Sequence, residues 1–402
     1  MTRFDANTLA MMEYAVRWSD GRDEFEDRFV GRRINAWRDI FPPGMEQGLR
    51  GLGVGEKAVA DYSPGELVVP YREEQVFTLD RKAFAEKVVA GRRITPRLGR
   101  FYPQGMLRGL KGVYASTATP FRVVGLDGES ITVDLNHPLS SFPVRVEATI
   151  EYLERKRSDT GGTLMHWPEE ICDNGPGMQA VPQGCPVDFL AGDFFTRADD
   201  DDALFYADPR LIGHVDRQAH ANLKRVYARF LKPGMKVLDL MSSVESHLPE
   251  DMDLDVTGLG LNGEELRANA MLSRHVVHDL NADPAIPLKG PFDAVVCSLS
   301  IEYLTDPLAV LGYARSLLRP GGVLLVGVSN RWFPTKAVQG WLDLHEFERI
   351  GFVRELQRRA GFDGPSGAVS IRNDWRPQDD PHFLETRGVS DPVFIIWTHR
   401  EG

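Results

Sequence analysis

The run Lys236-Val237-Leu238-Asp239-Leu240 sets one carboxylate inside an apolar stretch, and Met241-Ser242-Ser243 follows it with two hydroxyls. Such a stretch reads as a central parallel strand buried on both faces. In doubly wound α/β folds, ligands bind beyond the carboxyl ends of these strands, where the strand order reverses. That makes Asp239 and the two serines candidates for a ligand site. Upstream, Tyr206, Arg210 and His214 bring a phenol, a guanidinium and an imidazole close together in the chain. The planar fork of Arg210 suits a ligand carboxylate better than lysine would, and Tyr206 and His214 are candidate acid–base groups. A helix is expected from this point to Phe230. Val215, Ala219, Leu223, Val226 and Phe230 would form its apolar face, with Arg210, His214 and Gln218 on another side.

These side chains need a scaffold, and the pattern from residue 233 onward supplies one. Strands are expected over 237–240, 255–260, 275–278, 292–298, 323–328 and 393–398. Helices are expected over 262–269, 307–318 and 341–360. Strands alternating with helices at these spacings give a parallel sheet with right-handed crossovers. A dinucleotide site wants Gly-x-Gly-x-x-Gly after the first strand; DLMSSVE has no glycine there, so a nicotinamide cofactor is disfavoured.

VLDLMSS, FDAVVCSLSIEYL and LLRPGGVLLVGVSNRWFP together resemble the class I S-adenosylmethionine-dependent methyltransferases over about residues 205–362. More narrowly, the chain is similar to a subgroup with FY-x-x-PR-x-x-x-H-x-D ahead of the fold and DLMSS-x-x-SHLP at its first strand. The resemblance implies S-adenosylmethionine as cofactor, with Asp239 near the methionyl ammonium and Arg210 as a further contact. Met241, Ser242 and Ser243 stand where the family has glycines. Gly260 stands where it has a ribose-binding acid, so Leu261 and Asn262 take that place, with Asn262 able to donate and accept. Asp279 and the Leu280 backbone would meet the adenine, and Ser298 and Leu299 the sulfonium side. Tyr206, His214 and His247 are the catalytic candidates, beside Glu302; for His247 a structural cap is an equal alternative. Arg331 and Trp332 would shape the acceptor pocket. With no evident catalytic dyad, the acceptor expected is a small molecule, a thiol or sulfide above others, because a thiolate is reactive near neutral pH.

The first 155 residues read as a small antiparallel α+β domain: strands near 14–18 and 25, a short helix over 45–52, and strands over 58–62, 121–125, 130–134 and 144–150. A polar, arginine-rich excursion interrupts it from 63 to 100. PGMEQGLRGLGVGEKAVADYSPGE and ITVDLNHPLSSFPVRVEATIEYL resemble the FKBP-type peptidyl-prolyl isomerases, most closely their SlyD-like branch. The resemblance implies an apolar cleft for an X-Pro bond lined by Tyr14, Phe25, Phe41, Met45 and Tyr62. It departs from the family at Glu26 and at Pro42-Pro43. The organisation expected is an FKBP-like domain over 1–155, a connector over 156–204 and an α/β methyltransferase domain with an N-terminal lid helix over 205–402. The rival reading is an isomerase or folding helper carrying a degenerate methyltransferase-like domain.

Composition narrows the partners. A net charge of -11 disfavours nucleic acid and anionic membranes, which need a basic face. No apolar run approaches the roughly 20 residues of a membrane span. The three cysteines, Cys172, Cys185 and Cys297, form neither metal-ligand spacing nor a disulfide framework. A cytoplasmic protein with no metal is expected, with the front domain serving for docking or homo-oligomer formation.

Overall fold

The computed structural model describes residues 2–89, 92–158, 162–173, 175, 178, 187–190 and 194–402. The glycine- and proline-rich part of the connector, with Cys185, lies outside the described residues.

The C-terminal half is the expected α/β unit. Its strands are β11 (Lys236–Leu240), β12 (Asp255–Gly260), β13 (Arg274–Val277), β14 (Phe292–Ser298), β15 (Leu318–Ser329), β16 (Ser366–Arg372) and β17 (Val393–His399). They are ordered β13-β12-β11-β14-β15-β17-β16, with β17 antiparallel to both neighbours. The order reverses between β11 and β14, which pair in parallel from Val237↔Ala294 to Leu240↔Cys297. Asp239 therefore stands at the crevice such sheets use for ligands. Val237, Leu238, Ala294 and Val295 are wholly buried, as central strands covered on both faces require.

The N-terminal strands are β1 (Thr8–Ser19), β2 (Asp23–Ile34), β3 (Lys57–Tyr62) and β10 (Val144–Arg155), with the helix α1 (Met45–Leu49). They order as β2-β1-β10-β3, all antiparallel. The two halves share one eleven-stranded sheet, because β2 pairs in parallel with β16 from Asp23↔Ser366 to Phe29↔Arg372. The joint is sealed by a buried ion pair between Arg372 and Asp27 at 2.7 Å, which Ser370 also reaches. A Cβ on Gly367 would lie 2.0 Å from the Glu24 carbonyl, so the pairing needs glycine there. Sequence reading had not marked β16. This pairing joins the front strands to the C-terminal half within the chain.

The excursion is larger than the pattern suggested. Besides β4 (Val76–Asp80), β5 (Lys87–Val89), β6 (Arg92–Ile94) and β7 (Phe101–Pro103), it takes in β8 (Pro120–Leu126) and β9 (Ser130–Asp134). The last two were expected to close the front sheet. They instead build a separate four-stranded sheet, β4-β9-β8-β7, around Phe121, Val123, Ile131 and Val133. Its arginines dock it on the other half. Arg100 makes a buried pair with Glu348 at 2.8 Å, and Phe101 packs edge-on against Phe347.

The five residues expected to line an open cleft are packed instead. A segment of the connector covers Tyr14: Trp167 opens the helix α2 (Trp167–Cys172), stacks on Tyr14 at 5.8 Å and donates to Asp39 at 3.1 Å. Its backbone amide donates to the Ile40 carbonyl. Tyr62 donates to the Pro43 carbonyl, Met45 is buried, and Phe41 packs edge-on with Phe4. Phe25 stacks on Trp18 under the Arg354 guanidinium. Among the described residues, no helix is long and apolar enough to cross a membrane.

Candidate functional site

Where β11, β12 and β14 end, the chain turns sharply. Met241, directly after β11, and Leu299, directly after β14, both take positive φ near 55°, as does His247 further along the first loop. Each such non-glycine residue costs about 1–2 kcal/mol, and strain of this kind collects at ligand sites. The loop after β11 crosses the end of β12, so that a Cβ on Gly260 would lie 2.1 Å from the Ser242 carbonyl. That contact accounts for glycine at the position where an acid was anticipated.

These turns floor a cavity of about 640 Å³, within the ~300–1,000 Å³ typical of small-molecule sites. Fourteen of the residues nominated from sequence line it: Tyr206, Arg210, His214, Asp239, Met241, Ser242, Ser243, His247, Leu261, Asn262, Asp279, Leu280, Ser298 and Leu299. Arg331 and Trp332 line it too. Glu302, the further candidate base, does not; it is fully buried behind the wall with neither carboxylate oxygen hydrogen-bonded. The lining runs from Asp202 to Pro334, so no described residue of the front half contributes.

Tyr206, Arg210 and His214 reach the cavity from a different element than expected. The helix α4 (Arg217–Tyr227) starts only after them, capped by Asp216, which accepts from the Gln218 and Ala219 amides. Asp216 itself is held by Ser390, Asp391 and Arg376, which fix where the helix can begin. Tyr206 follows the short helix α3 (Asp202–Phe205), and Arg210 and His214 lie on the loop between the two helices. The Arg210 guanidinium stands over Phe205 and Phe333 at 4.4 and 5.2 Å. One of its terminal nitrogens donates to the Phe205 carbonyl; the other is buried without a partner.

Asp239 is buried, and among the described residues its side-chain partners are hydroxyls. Ser242 donates to it at 2.6 Å, and Ser246 also reaches it. Burial pushes its carboxyl up to about 7, with only those hydroxyls to counter it. Asp279 accepts from the Asn281 and Ala282 amides. The side chain of Asn262 is already committed: its oxygen caps the helix α5 (Gly263–Ala268), and its nitrogen donates to the Tyr206 and Ala207 carbonyls. It therefore fixes the Tyr206 turn, and its nomination as a ribose ligand loses its free donor and acceptor. Ser298 is bonded to the Tyr227 hydroxyl at 2.9 Å.

Sequence reading missed Glu265, in the first turn of α5. It lines the cavity and accepts from the Arg210 amide at 2.7 Å and from the Ser243 hydroxyl at 2.6 Å. His214 Nε2 lies 3.5 Å from the same hydroxyl. His214, Ser243 and Glu265 thus form a relay. In the tautomer with its proton on Nε2, His214 would donate to the Ser243 oxygen while that hydroxyl donates to Glu265, leaving Nδ1 as the acceptor nitrogen. Burial lowers the His214 pKa, which favours the neutral ring. Burial raises that of Tyr206, so its phenol stays protonated and serves as a donor rather than a base. Glu265 stands three residues past a capping Asn, the one signal that could have singled it out in the sequence.

Residues 212–361 match the family model described as a methyltransferase domain. The curated relatives it is similar to include a ubiquinone biosynthesis O-methyltransferase of Xanthomonas campestris pv. campestris. That match is 33% identical over 117 residues, covering 27% of this chain and 49% of the relative. One of the same description from Psychrobacter cryohalolentis is 28% identical over 160 residues, covering 35% and 61%. The chain spans about half the length of the first of these relatives. Among solved structures, a TehB-like SAM-dependent methyltransferase from Corynebacterium glutamicum is 18% identical with a TM-score of 0.30, covering 46% of this chain and 88% of that one.

Proposed function

We propose that the protein transfers a methyl group from S-adenosylmethionine to a small-molecule acceptor, and that the accepting atom is oxygen. The methyltransferase-domain match over 212–361 and the cavity at the strand-order reversal support the first part. The chemistry of the wall fits the donor. Asp239 is a buried acid whose partners are hydroxyls, suited to an ammonium, and the unpartnered Arg210 nitrogen is a buried donor suited to a carboxylate. Asp279 and Leu280 also line the cavity and are available to an adenine. When bound, S-adenosylmethionine supplies a methyl group already activated on a sulfonium.

The remaining work falls to the chain: to hold the acceptor in line, to exclude water and to take its proton. Positioning accounts for roughly 7–11 kcal/mol of the barrier in such reactions. A thiol is the expectation because its thiolate forms readily near neutral pH, with the lack of a catalytic dyad as a secondary ground. The His214–Ser243–Glu265 relay removes that secondary ground and is the observation that carries the oxygen reading, since a hydroxyl must lose its proton as it is methylated. The names of the curated relatives, O-methyltransferases, agree with it.

A panel of phenols, catechols, small thiols, sulfide and amines, incubated with methyl-labelled donor, tests this reading. Label is expected on oxygen compounds, and His214→Gln should lower kcat by about 10²–10⁴-fold. Label confined to sulfur or nitrogen compounds would overturn it.

For the N-terminal unit, the proposal is an FKBP-like fold retained as structure. Trp167 stacks on Tyr14, one of the five residues expected to line the cleft, and bonds to Asp39, which supports a closed domain over an isomerase.

A further inference from the structure

At the cavity wall three ligand-type side chains converge that the proposed methyl transfer leaves without a part, among them His247, a catalytic candidate from sequence. His220 projects from α4, while Glu245 and His247 come from the loop after β11. His220 Nδ1 lies 2.9 Å from His247 Nδ1 and 3.3 Å from a Glu245 oxygen, and one ligand atom from each lies within 4.8 Å of the others. Two ligands held about 2.0–2.1 Å from a tetrahedral zinc are about 3.3 Å apart, so the spacing is that of a coordination edge.

Proton bookkeeping leads to the same place. Three electronegative atoms meet, and a single hydrogen at His220 Nδ1 cannot point at both of the other two. A divalent cation satisfies every lone pair at once. Lys224, one turn along the same helix, is turned to Glu250 at 2.7 Å and not to Glu245. His247 also holds a positive φ, a cost that aiming its ring at His220 accounts for.

The geometry points to a site for a divalent transition metal of the zinc class, bound by His220 Nδ1, His247 Nδ1 and a Glu245 oxygen. Two histidines and one carboxylate leave a fourth position open, as in catalytic rather than structural zinc sites. Glu245 and His247 both line the cavity, so the open position is available to water, a hydroxyl or a thiol within it. Sequence reading anticipated no metal, because the ligands come from two elements and include no cysteine.

The metal proposal does not rest on methyl transfer, so its test uses metal binding alone. The full-length protein is stripped with chelator, dialysed and titrated with Co²⁺ while its visible spectrum is followed. The expected result is one equivalent bound with the intense bands of four- or five-coordinate cobalt, displaced by Zn²⁺. His220→Asn and the half-exposed Glu245→Gln should each weaken binding by about 100-fold or more, beyond the 10–100-fold typical of second-shell changes. Only the weak bands of six-coordinate cobalt, or unchanged affinity in a Glu245→Gln protein whose melting matches the parent, would overturn the assignment.

Discussion

Asp239→Asn offers the sharpest test of the site, because its effects on stability and on binding should run in opposite directions. In the native state the carboxyl holds its proton up to about pH 7, whereas its ordinary value is 3.8. Between those two values the unfolded chain has lost a proton that the folded chain keeps, so stability falls as pH rises through this window. The displacement caps the cost at roughly 4 kcal/mol; relaxation and water penetration reduce such penalties, leaving about 2 kcal/mol. Asparagine keeps the shape and an acceptor for Ser242 but carries no charge. Its advantage should be small near pH 4, grow up to about pH 7 and stay level above. For a chain of this length, about 2 kcal/mol raises Tm by about 2 °C. S-adenosylmethionine binding should change the other way: weakened in the variant, and in the parent falling up to about tenfold per pH unit below 7, because a bound ammonium wants the ionised carboxylate. Melts at pH 4.5, 6 and 8 with calorimetric titration of the donor read both. A Tm gain independent of pH, or undiminished donor affinity in the variant, would refute the reasoning.

Gly260→Ala should abolish donor binding while leaving the protein folded, since the new Cβ would push the Ser242 carbonyl out of the cavity floor; near-UV circular dichroism and a binding titration separate the two. The intact protein should not accelerate prolyl isomerisation in a peptide assay, and Trp167→Ala should destabilise it by about 3–5 kcal/mol, as for other buried tryptophans. Isomerase activity in the intact chain would show that α2 does not block the cleft.

The parallel strands, and the residues at their ends that line the cavity, were legible because β11, β12, β14 and β15 carry apolar runs and end where the chain turns polar. Their signal is local. What stayed hidden depends on distant partners. The start of α4 is set by Asp216 and its contacts with Ser390 and Asp391, more than 170 positions away. Without them the apolar spacing extends backward through His214 and suggests a longer helix. β8 and β9 alternate as strands should, but nothing in their pattern says whether they pair with β10 or with β4. Asn262 looked free because its donor and acceptor are consumed by backbone groups, which side-chain identities do not reveal.

The shared sheet gives the N-terminal half a role that needs no activity. Without residues 2–155, β16 (Ser366–Arg372) would become an edge strand, its backbone groups that now face β2 unpaired, most of its residues buried now. Such an edge is a template for pairing with another chain. The same cut strips Arg372 of Asp27, Arg354 of Asp20 and Asp23, and Glu348 of Arg100. Breaking one buried pair by removing a partner costs about 3–5 kcal/mol, and typical domains have only about 5–15 kcal/mol of total stability. A chain starting at residue 194 is therefore expected to be insoluble or to elute as large aggregates in size-exclusion chromatography, even though it contains the whole cavity. If that fragment instead runs as a monomer and melts like the intact protein, the front half is an appendage, and the β2–β16 pairing is not what closes the sheet.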